Sequence, residues 1–197
     1  LEAGATEVVV NDSHGSMRNI DPDDLDPRAI LISGSPKPLS MMQGIDDSVD
    51  GVVFIGYHAR NGTQNAVLDH TWSSKTVANV WLNNILTGEF GLNAALAGYF
   101  GVPVIMVSGD QTACAQMGEL LGDVERAVVK YATGRFSAEC LNPQATQEII
   151  LTSAMRAVDR LVQGDVPAPF VLDPPIDLRV EFFESNMADR AGLLPTS

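Results

Sequence analysis

Only two cysteines, three histidines and three tyrosines occur in the 197 residues of this chain. Cys114 and Cys140 stand far apart, with no Cys-x-x-Cys pair and no dense disulfide framework. They read as partly buried thiols, and any zinc must rest on histidine and carboxylate. Basic residues are scarce too: 12 Lys and Arg face 25 Asp and Glu, a net charge of −13. That balance disfavours phosphate backbones and anionic lipid surfaces, and no basic patch with interleaved aromatics offsets it. Nucleic acid and membrane are therefore set aside as partners. No uninterrupted apolar run approaches the length of a membrane span. The opening Leu1-Glu2-Ala3-Gly4-Ala5 has neither a basic region nor a signal-peptide apolar stretch, and the expected location is the cytoplasm. Neither Gly-x-Gly-x-x-Gly nor the P-loop pattern occurs, and no Gly-x-Ser-x-Gly elbow does. Internal repeats and low-complexity tracts are absent as well.

What remains is ordinary globular material, with 45% hydrophobic and 19% charged residues. Short apolar, β-branched runs predict strands over 7–11, 29–33, 51–57, 77–82, 102–107 and 178–183, with 127–131 extended. Asn83-Asn84 reads as a turn. Helical spacing predicts helices over 88–100 and 112–121. Asn142 before Pro143 starts a third, running to about Val162 with Leu151, Met155, Val158 and Val162 on one face. Pro167, Pro169, Pro174 and Pro175 mark a stiff connector. The pattern implies an α/β fold, with a mixed, largely parallel sheet flanked by helices and a smaller second lobe toward the C-terminus. The expected division is a metal-site domain over 1–165, then connector and second lobe over 166–197.

The three histidines are the most informative residues. His14 follows the first strand in Asn11-Asp12-Ser13-His14, and His58 follows the strongest strand in Gly56-Tyr57-His58-Ala59-Arg60. His70 lies in Leu68-Asp69-His70-Thr71. Open α/β sheets gather ligands beyond the carboxyl ends of their strands, where His14 and His58 are predicted. Imidazole suits zinc, but two imidazoles alone make a poor site, so carboxylates must complete it. Glu89, opening an amphipathic helix, is one candidate, and Asp12 a second ligand or an orienting acceptor. Each residue also has an ordinary structural reading. A loop histidine is often solvated, Asp69 suits a turn, and Glu89 complements a helix dipole. Arg60 steers a substrate carboxylate or pairs with Asp69, and spacing leaves that choice open.

Several segments together resemble a known family. Val9-Val10-Asn11-Asp12-Ser13-His14, Met41-Met42-Gln43-Gly44, Phe54-Ile55-Gly56-Tyr57-His58-Ala59-Arg60 and Gly88-Glu89-Phe90-Gly91-Leu92-Asn93 look like the DppA family of D-aminopeptidases, in matching order. So do Val107-Ser108-Gly109-Asp110 and Ala138-Glu139-Cys140-Leu141-Asn142-Pro143. The resemblance implies dinuclear zinc enzymes that remove N-terminal D-amino acids from short peptides or amides. It assigns His14, His58 and Glu89 as metal ligands and His70 as the catalytic histidine, here treated as a proton-transfer group beside a metal-activated water. It also implies two zinc ions per subunit and a ring-like homo-oligomer, with a decamer among the sizes. The family's Asp-x-Glu-Gly element, which supplies further ligands, does not occur in residues 1–197, so an upstream segment is expected to be missing. Alternatives are an amidase acting on L- or β-peptides, or a peptide-binding protein of the same fold without catalysis.

Overall fold

The computed structural model describes residues 1–195. Its central sheet has the order β3-β6-β7-β8. Here β3 is Val52–Tyr57, β6 Val104–Asp110, β7 Glu125–Gly134 and β8 Ser137–Cys140. β3, β6 and β7 run parallel, while β8 returns antiparallel along β7 through a tight hairpin. A parallel strand needs a crossover to its neighbour, and helices supply it. α1 (Glu89–Tyr99) leads into β6, and α2 (Gln111–Leu121) leads into β7. β6 is buried along its whole length, which explains its unbroken apolar run Val104-Ile105-Met106-Val107.

Two apolar clusters meet at this strand. Val104 and Val107 join Phe54 of β3 with Phe90, Ala94 and Ala97 of α1 and Ala113 and Met117 of α2. Ile105 and Met106 instead join Ala127 and the long helix α3 (Pro143–Gln163) through Ala157, Ile149, Ile150 and Leu161. The sheet is thus flanked by helices, a mixed α/β architecture.

α3 starts as expected: the Asn142 side chain accepts from the Gln144 amide at 2.9 Å, with Pro143 in the first turn. Its packed face differs from the one the spacing suggested. Leu151 (55% exposed), Met155 (40%) and Val162 (75%) face outward, leaving Val158 in the core. The contact runs along Ile149, Ile150, Val158 and Leu161 with the small residues Ser153 and Ala157 fully buried between them, so the stripe is rotated from the expected one. At the end of α1, Leu96 and the C-cap Phe100 pack inward while Tyr99 is exposed.

A second sheet, of order β5-β4-β9, is antiparallel throughout. β4 is Val77–Leu82, β5 Ile85–Thr87 and β9 Leu178–Phe182. Asn83 (φ 45°) and Asn84 (φ 67°) both adopt left-handed backbone, joining β4 and β5 with Leu82 paired to Ile85. That is the two-residue hairpin geometry for which asparagine is favoured. Phe170, in the proline-rich connector before β9, lies against α1. A methyl on Gly98 would lie 2.0 Å from the Phe170 carbonyl oxygen, so only glycine permits this approach. A separate parallel pair, β1 (Val9–Asn11) with β2 (Ile30–Ile32), carries the first strand's loop. α4 (Ser185–Ala191) follows β9. No helix among the described residues is long and apolar enough to cross a membrane.

Candidate metal centre

β3 ends at Tyr57, and the next residue, His58, sits at the carboxyl end of the central sheet. Its ring Nδ1 lies 3.1 Å from the Ala59 carbonyl oxygen. A carbonyl only accepts, so Nδ1 carries a proton and Nε2 is left to face Glu89, as a donor when the ring is protonated and as a lone pair for a metal when it is neutral. His70 repeats the device, with Nδ1 2.6 Å from the Leu68 carbonyl oxygen. The two rings stack at 3.8 Å between centroids, 16° from parallel. Both Nε2 atoms turn toward Glu89, at 3.4 Å for His58 and 3.8 Å for His70.

Glu89 is the first residue of α1 and is 8% exposed. The Trp72 backbone N–H donates to its Oε1 at 2.7 Å, holding the carboxylate in place. Burial works against the Glu89 charge, but hydrogen bonding and charge from His58, with help from Trp72 and His70, hold the carboxyl below its ordinary value. Burial likewise opposes protonation of His58, and Glu89 outweighs it, raising the imidazole. Ligand atoms of His58, His70 and Glu89 all lie within 4.8 Å of one another. Two imidazoles with anchored Nδ1 and free Nε2, opposite one anionic carboxylate, fit a borderline-soft divalent ion such as zinc.

The loop from 59 to 76 has no regular secondary structure, and carboxylates brace it. Asp69 is buried and accepts from the Gly62 and Thr63 amides at 2.7 and 3.2 Å. Asp110, the N-cap of α2, accepts from the Thr112, Ala113 and Val67 amides. On either side of His70, Leu68 (φ 51°) and Trp72 (φ 57°) adopt left-handed backbone, a strained state for bulky residues that persists where surroundings impose it. Arg60 does not pair with Asp69. Its guanidinium donates to the Asn61 carbonyl at 3.2 Å, and Asp69 pairs with Arg135 at 2.8 Å.

His14 stands apart from this group: it is exposed and outside the cluster that closes to 4.8 Å. Asp12 is buried, and its carboxylate accepts from the Asn19 side chain and amide and the Ile20 amide. It therefore shapes the His14 loop and does not orient an imidazole. Burial opposes its charge, but these donors win and hold it below the ordinary range. The Asn11 side chain, through Met41, and Asn93, through the Tyr57 hydroxyl at 2.8 Å, tie this loop region to α1 and β3. Asn93, Asp110 and Arg135 had no assigned role from sequence. Asp110 alone carried a readable signal, a capping residue between a strand and a helix.

The family model described as D-aminopeptidase matches residues 1–197. The chain belongs to the D-aminopeptidase family. It is 39% identical to a D-aminopeptidase of Bacillus subtilis (strain 168), covering 99% of this chain and 69% of that protein. A solved structure of the Zn-dependent D-aminopeptidase DppA from Bacillus subtilis, described as a self-compartmentalizing protease, superimposes with a TM-score of 0.91. It shares 38% identity and is matched over 98% of this chain and 69% of its own. These D-aminopeptidase relatives make the paired imidazoles and Glu89 the natural place to seek a metal.

Proposed function

We propose that this protein is a zinc-dependent aminopeptidase that removes N-terminal D-residues from short peptides or amino-acid amides. The observation that carries the reading is the convergence of His58, His70 and Glu89 within 4.8 Å in a chain of the D-aminopeptidase family. Glu89 and His58 Nε2 would hold zinc, which when bound supplies Lewis-acid polarisation of a carbonyl and an acidified water. His70 moves a proton at its Nε2, with Nδ1 anchored on Leu68, for the departing amine. The Trp72 amide contact keeps the Glu89 carboxylate aimed at both rings.

The same proposal includes two zinc ions per subunit, with His14 serving the second. Its support is the family resemblance, since His14 lies outside the cluster. A ring-like homo-oligomer and a cytoplasmic location belong to the proposal as well. The self-compartmentalizing character of the Bacillus subtilis relative supports the first.

The test is hydrolysis of paired D-alanine and L-alanine amides by the full-length protein, with and without chelator and zinc add-back. Cleavage of the D form alone, lost with chelator and restored by zinc, is the expected result. Equal cleavage of the L form sinks the stereochemical part. Cleavage of neither by folded, zinc-loaded protein sinks the reaction itself.

A further inference from the structure

The β7–β8 hairpin reaches back across the molecule to the catalytic loop. Its turn consists of Arg135 and Phe136, between Gly134 and Ser137, which pair. Arg135 meets the loop three times. Its Nε donates to Asp69 Oδ1 at 2.8 Å, its Nη2 donates to the Asp69 carbonyl at 2.9 Å, and its own carbonyl accepts from the Leu68 amide at 2.8 Å. Asp69 is all but buried at this contact while Arg135 stays partly exposed. The Phe136 ring lies 4.9 Å from the guanidinium and helps orient it.

We propose that Arg135 positions His70, acting through the Leu68–Asp69 segment. This rests on the reading of His70 as the proton carrier. The chain of contacts is short. The Leu68 amide is held by the Arg135 main-chain carbonyl, the next residue Asp69 is held by the Arg135 side chain, and the Leu68 carbonyl holds His70 Nδ1. One peptide residue thus links the hairpin to the ring, and that residue sits in left-handed backbone at φ 51°. A leucine stays there only where neighbours over-determine it. Asp69 completes the clasp, because its second oxygen takes the Gly62 and Thr63 amides and so fastens both arms of the loop. His58 needs no such device, since its anchor is its own neighbour at the end of β3.

Outer partners that orient active groups are worth about 10–100-fold in activity. In full-length zinc-loaded protein, Arg135→Ala is expected to lower kcat on D-alanine amide by about that factor, with KM and zinc content unchanged. Arg135→Lys recovers only part, because a lysine is a point charge without the fork that spans the Asp69 carboxylate and carbonyl. Asp69→Asn gives a loss that does not add to that of Arg135→Ala, as shared partners require. A second readout is independent of turnover: carbethoxylation of His70 by diethyl pyrocarbonate, followed by mass spectrometry. Its rate rises severalfold in Arg135→Ala and Asp69→Asn, while that of exposed His14 stays constant. If the wild-type protein cleaves no amide, the function proposed above fails and the labelling still decides the clasp. Wild-type labelling of His70 in both variants overturns the clasp. So does a loss of kcat that merely tracks lost zinc or lost folded protein.

Discussion

Glu89→Gln is expected to leave the protein folded and to strip it of zinc and activity. The variant keeps its shape: the amide oxygen can still accept from Trp72, as Glu89 Oε1 does at 2.7 Å. The new amide N–H can donate to the His58 Nε2, 3.4 Å away in the native protein. What disappears is the only carboxylate within 4.8 Å of both rings among the described residues. Two neutral imidazoles without an anionic partner bind zinc poorly. If the metal contributes about 4 kcal/mol to the reaction, kcat/KM on D-alanine amide falls by about 10³-fold. Zinc stoichiometry measured by atomic emission should fall in parallel. Full zinc content at wild-type turnover would remove Glu89 from the site.

His70→Ala separates two roles that the geometry alone leaves side by side. His70 Nε2 is 3.8 Å from Glu89, only slightly farther than that of His58. As a proton carrier, its loss lowers kcat by about 10²–10⁴-fold with zinc retained. As a ligand, its loss removes zinc and activity together, as His58→Ala should. Zinc content and single-turnover rates on the same preparations distinguish the two. Retained zinc with near wild-type turnover would contradict any chemical role. His58 keeps its Nδ1 anchor on Ala59 in this variant, so its own orientation does not depend on the missing ring.

Much of the fold could be read from the chain because its elements are strongly marked. β3 and β6 are apolar, β-branched runs, and α3 opens with an Asn-Pro cap. Among the strands and α-helices of the described residues, three short elements were not expected, and each lacks local marking. β5 has three residues, and it exists because the Asn83-Asn84 turn folds it onto β4. β8 reads Ser-Ala-Glu-Cys, with no apolar alternation, and is held by pairing to β7. α4 has seven residues and no side-chain cap. Hairpin pairing with the strand just before them creates β5 and β8, and α4 packs against β9, so none of the three is marked by its own composition.

The candidate site divides in the same way. His58 and Glu89 stand at a strand end and a helix start, positions that local pattern marks. His70 lies in an irregular loop, where its Nδ1 meets the Leu68 carbonyl and the neighbouring Asp69 pairs with Arg135, 66 residues away. Spacing shows nothing of that bracing, so His70 was legible only as one of three candidate histidines, and its catalytic role came from the family resemblance. Asp12 was the reverse case. Its place beside His14 suggested metal chemistry, yet its donors are amides of its own loop.

The most direct test is a zinc-edge anomalous diffraction map of crystals of the full-length protein grown with zinc. A peak about 2.0–2.2 Å from His58 Nε2 and from a Glu89 oxygen is expected, with the His70 ring beside it but not bonded to it. A zinc peak elsewhere on the molecule, with none between His58 and Glu89, would contradict the central claim.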